Sequence, residues 1–161
     1  MSPLGSTPRA RAFRAAIASA TLATIVTACG TISRTPPAPT PADFPGIAGI
    51  LSTAGIAVTN IVSGDAGCNE PDIAKTAIGF DASGADQATP VRIHIYIFRN
   101  HDTYVRERAS VDRCAAAFVS DPSTYEVQEA SPYVLAGQGP WAPSFRKALR
   151  ETLGEAAGDG G

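Results

Sequence analysis

The octet from Val91 to Phe98 constrains the fold more than any other stretch. Val91, Ile93, Ile95 and Ile97 alternate there with Arg92, His94, Tyr96 and Phe98. Successive side chains of a strand point to opposite faces, so this period predicts a β-strand with one aliphatic face turned to a core. The opposite face has two possible fates. If helices cover only the aliphatic side, Arg92, His94, Tyr96 and Phe98 form an exposed polar-aromatic stripe, a surface suited to a ligand or partner. Otherwise the first helix or the N-terminal tether packs over it.

The neighbouring segments read in the same way. Thr76, Ile78 and Phe80 alternate with Ala77, Gly79 and Asp81, a strand paired to 91–98 across a polar loop at 83–90. Residues 56–62 (IAVTNIV) are rich in β-branched residues and end at Ser63-Gly64-Asp65-Ala66-Gly67. Ile47, Ile50 and Leu51 have helical spacing, with Gly55 as a stop, and Pro71 opens a single helical turn. Residues 102–119 form a longer helix with Asp102 as N-cap, carrying Tyr104, Arg108, Val111, Ala115 and Phe118 along one side. Asp121-Pro122 breaks that helix, and Tyr125 to Ala136 is extended with an interruption at Ser131-Pro132. Pro143 opens the last helix, whose stripe is Phe145, Leu149, Leu153 and Ala156. The expected fold is α+β, a small antiparallel sheet of about four strands backed by helices, over residues 46–158 with a tail at 159–161. A full helix at 69–75 would instead give the split βαβ arrangement of ferredoxin-like folds.

The N-terminus has the parts of an export signal. Residues 1–14 carry Arg9, Arg11 and Arg14 and no acid, and residues 15–28 (AAIASATLATIVTA) are uncharged and mostly apolar. A helix of that length reaches roughly 21 Å, short of the roughly 30 Å hydrocarbon core of a bilayer. No adjacent arginine pair is present, which favours general secretion over the twin-arginine route. The run ends in Val26-Thr27-Ala28-Cys29-Gly30. This resembles the lipobox of bacterial lipoproteins, and the resemblance covers residues 1–30. It implies cleavage before Cys29, acyl chains on Cys29 and a cell-membrane anchor facing the extracytoplasmic side. The same small residues also suit ordinary signal cleavage, and an uncleaved anchor is a third reading. Residues 29–45 then form a tether, in which Pro36, Pro37, Pro39, Pro41 and Pro45 enforce an extended, semi-rigid chain.

Loss of Arg9, Arg11 and Arg14 with the leader moves the formal charge from −2 to −5 and leaves 133 residues. An acidic domain of that size has no electrostatic reason to hold nucleic acid. With Cys29 taken by lipid, Cys68 and Cys114 remain as an even pair in an oxidising compartment. A disulfide is expected between the turn after the first strand and the late part of the long helix. A Cys-x-x-Cys redox motif is absent.

Familiar catalytic signatures are missing as well. The chain has no Gly-x-Ser-x-Gly, no His-Glu-x-x-His, no phosphate loop and no metal-spaced cysteine cluster. Gly137-Gln138-Gly139 is followed by Pro140, which lacks the donor a dinucleotide turn needs. No catalytic residue, metal or cofactor is therefore expected. His94 and His101 read as ordinary surface or satisfied histidines. Trp141, in a Gly/Pro-rich loop, either staples the last helix to the sheet or serves as a contact residue. The leading expectation is a lipid-anchored, non-catalytic binding module of the cell envelope. Its candidate face is Arg92, His94, Tyr96, Phe98 and Trp141, for a protein or small-molecule partner. One alternative is an envelope enzyme using Arg92, His94, Tyr96 and Asp102, and another is a structural lipoprotein.

Overall fold

The computed structural model describes residues 43–158. The expected export leader, Cys29, most of the expected tether and the last three residues lie outside them. Four helices and five strands follow in the order α1 (Phe44–Thr53), β1 (Ile56–Ser63), α2 (Pro71–Ala74), β2 (Ala77–Gly84), β3 (Gln87–Ile97), α3 (His101–Phe118), β4 (Tyr125–Ala130), β5 (Tyr133–Gln138) and α4 (Pro143–Ala157). The strands form one sheet in the order β1-β2-β3-β5-β4. Every neighbouring pair is antiparallel.

The class is α+β, and several details differ from expectation. Phe44 and Pro45, read as tether, belong to α1, where Phe44 is buried. The loop at 83–90 is a tight turn, because β2 runs to Gly84 and β3 starts at Gln87. The extended stretch 125–136 folds back on itself at Ser131-Pro132 into the β4–β5 hairpin, giving five strands rather than four. The N-cap of α3 is Asn100, whose side chain accepts the Thr103 N–H, and not Asp102. A split βαβ needs the strands flanking α2 to be parallel with a third between them. Here β1 pairs directly and antiparallel with β2, and α2 has only four residues.

The sheet has cover on both faces. On the aliphatic face Ile78, Phe80, Ile93, Ile95, Ile97 and Leu135 pack with Phe44, Ile47 and Leu51 of α1 and Phe145, Leu149 and Leu153 of α4. On the other face Ala77, Tyr96, Phe98, Val134 and Ala136 pack with Val111 and Cys114 of α3 and Ile73 of α2. Trp141 is buried in the first of these layers, edge-on to Phe145 at a centroid distance of 6.1 Å. It therefore staples α4 to the sheet and presents no contact surface.

Two long-range features hold the helices in place. Cys68 and Cys114 stand at disulfide distance, with Cα atoms 5.1 Å apart, joining the segment before α2 to α3. The N-terminus of α4 lacks a side-chain cap of its own, since its N-cap residue is Ala142. Asp86, in the β2–β3 turn, accepts the N–H groups of Ser144 and Phe145 at 3.0 and 2.9 Å. Those bonds, led by Ser144, hold the Asp86 carboxyl below its ordinary range.

Asp86→Ala should lower the midpoint of a thermal melt by on the order of a few degrees at neutral pH. The gap should close as acid protonates Asp86 in the parent, and equal melts at neutral pH would refute the cap. Denatured, unreduced protein should show no free thiol from Cys68 or Cys114. Replacing both by Ala should cost roughly 4 kcal/mol for a loop of this length, read from denaturant unfolding.

Candidate functional site

Arg92, His94 and Tyr96 occupy alternate positions of β3 and point to the face that α3 covers. Their polar ends reach one short segment between β1 and α2. Arg92 donates to the Asp65 carboxylate at 2.5 Å. His94 Nδ1 lies 3.2 Å from the Asp65 backbone carbonyl. Tyr96 Oη donates to the Ala66 carbonyl at 2.7 Å. Successive rungs of one strand thus hold successive groups of one strap, residues 64–68.

Local sequence explains why the strap can lie there. Gly67 has φ +72°, and a Cβ on it would strike the Phe118 ring and His94 Nε2. Only glycine suits both the left-handed backbone and the close approach. Beneath the Arg92–Asp65 pair, Gly79 of β2 leaves the space a side chain would take from both partners. Cys68 then ties the far end of the strap to α3.

The expected exposed stripe is accordingly corrected. Tyr96 and Phe98 are fully buried and His94 is 3 % exposed, under α3 and the strap rather than under α1 or the tether. Arg92 alone keeps a partly exposed side chain, at 34 %. It also donates to Asp81 and to the Asn60 carbonyl. Phe98 packs edge-on to Tyr104. Asp102 is not brought to this site. His94 contacts Phe118 at the C-terminal end of α3, and Asp102 lies about 24 Å earlier along the same helix. His101 pairs instead with Ser131 Oγ and stacks on Tyr104.

Where the strap and α3 stop short, a cleft of about 310 Å³ remains, lined by Val91, Arg92, His94, Phe118 and Gln138. Its volume is at the lower end of the small-ligand range. Asp65, Phe118 and Gln138 carry no motif in the sequence. Asp65 reads there as one residue of a polar turn. Only its meeting with Arg92, across 27 positions, marks it.

The electrostatics follow from burial and pairing. Burial pushes the His94 imidazole below its ordinary 6.5, and Arg92 adds to that, while the Asp65 carbonyl and carboxylate oppose it. A carbonyl can only accept, so Nδ1 carries the proton and Nε2 is bare. The Asp65 carboxyl is also low: burial raises it, but the Arg92 and Gly67 N–H donors outweigh that. Burial pushes the Tyr96 phenol up, which keeps it a neutral donor. Among the described residues no three His, Cys, Asp or Glu side chains converge as a metal site would require. Compared with protein-family models, curated proteins and solved structures, the chain matches none.

A histidine held below its unfolded value favours the fold while neutral. That contribution is complete above about pH 6.5 and is lost as the pH falls through that value, because the unfolded chain binds the proton more readily. The melting temperature should therefore drop on acidification from about pH 7 to 5. His94→Asn, which keeps a donor near the Nδ1 position, should flatten that drop. An equally steep profile in the variant would remove His94 from the account.

Proposed function

We propose that this protein is a lipid-anchored, extracytoplasmic binding module of the cell envelope, whose ligand site is the cleft beside the strap. The Val26–Gly30 signal and the proline-rich segment after it support the anchored placement. The observation that carries the binding role is the cleft itself. It sets a partly exposed guanidinium and a buried imidazole against the Phe118 ring on a rigid sheet. Placing polar groups on packed strands rather than on loops fixes their geometry before a ligand arrives.

A second reading, an envelope enzyme, rests on one feature. The Asp65 carbonyl fixes the His94 tautomer that leaves Nε2 as a base. Turnover by this route should fall about 100-fold in His94→Ala.

The placement is tested by the intact mass of protein extracted from its native membrane, before and after reduction. A chain of residues 29–161 plus acyl groups is expected, gaining about 2 Da when the cysteine pair is reduced. An unlipidated chain starting at Cys29 would make it a released protein, and an uncut chain would make residues 15–28 its anchor. Either result would overturn the lipid anchor.

A further inference from the structure

We infer that the cleft selects an uncharged ligand, a small molecule carrying a carbonyl-type acceptor on a flat apolar body. This inference rests on the cleft being the binding site. It follows from which polar groups lining the cleft are already satisfied.

Gln138 is nearly saturated by one residue. Its Oε1 accepts from both the backbone N–H and the hydroxyl of Ser120, at 3.1 and 3.2 Å, which uses both lone pairs. Its Nε2 gives one N–H to Ser120 Oγ at 2.9 Å and keeps one unused. Arg92 has five N–H donors and uses three, on Asn60, Asp81 and Asp65. Of the two ring nitrogens of His94, Nδ1 is taken by the strap, while Nε2, beside Gly67, is a bare acceptor. The capacity left over among the residues lining the cleft is therefore donors on Arg92 and Gln138 and one acceptor, His94 Nε2. A ligand must bring an acceptor for the two donors, an amide N–H can serve Nε2, and a ligand cation would meet the guanidinium head-on.

Net charge excludes the opposite choice. Behind Arg92 stand two carboxylates, Asp65 and Asp81, both held below their ordinary range. The cluster of one cation and two anions is negative overall, so a carboxylate or phosphate would have to approach against it. A neutral carbonyl takes the same N–H donors without that repulsion. Phe118, Val91 and the edge of the His94 ring supply apolar walls for the rest of the molecule.

Three probes of similar shape and three charges test this: benzamide, benzoate and benzylammonium, titrated into the ¹⁵N-labelled full chain at neutral pH. Benzamide should shift the Arg92 and Gln138 side-chain signals and the Phe118 backbone amide. It should bind at least about threefold more tightly than either ion and keep its affinity within about twofold between low and high salt. Phe118→Ala should weaken benzamide about tenfold while the variant keeps the dispersed amide spectrum of a folded domain. Tighter binding of benzoate or benzylammonium at the same signals would overturn the ligand class and leave the cleft as the site. No shift at these signals with any probe at millimolar concentration would overturn the binding reading and the ligand class together.

Discussion

A strand buried on both faces cannot leave its polar groups to water, and the second half of β3 is such a stretch. From Ile93 to Phe98 every residue is buried, yet His94 and Tyr96 carry polar atoms and Arg92 begins the same row. An unpaired polar group in that position costs roughly 1–3 kcal/mol. The strap removes that cost at three places with two residues, Asp65 and Ala66. In return the strap, which has little apolar surface of its own, gains a fixed path across the sheet. Strand and strap thus depend on each other, and α3 packs over the result.

The cleft is what this arrangement leaves uncovered. The helix ends at Phe118 and the strap turns away at Gly67, so the Arg92 end of the row stays partly open while the Tyr96 end is sealed. The open end carries the charge cluster and the sealed end carries the neutral phenol, in the order that solvation demands. Geometry around the cleft comes from rigid parts: two strands, a helix terminus tied by Cys114, and a glutamine clamped by Ser120.

Across the sheet, the α1–α4 layer shows a similar dependence on distant partners. The start of α4 has no local cap; Asp86 of the β2–β3 turn accepts from its first turn, and Gln87 at the start of β3 accepts the Ala142 N–H just before it. Arg146 of the same helix pairs with Glu126 of β4. The tight turn that replaces the expected loop is thus also the clasp of the C-terminal helix.

Much of this was legible in order along the chain. Period two gave β2 and β3 away, the stripe of Phe145, Leu149 and Leu153 marked α4, and Cys68 and Cys114 were the two cysteines left once Cys29 was read as a lipid site, because these patterns arise within one element or from simple elimination. The candidate row was half legible. Arg92, His94 and Tyr96 were picked out as unusual, but their partners were not, since Asp65, Phe118 and Gln138 meet them only across 24 to 46 positions of chain. The β4–β5 hairpin was missed because two short strands and one interrupted strand have the same composition. By itself the sequence determined the class of fold and the alternation that gives β3 an aliphatic face. Only the tertiary structure decided that its polar face is covered too, because cover depends on where α3 and the strap land, and that is set by long-range packing that no local period records.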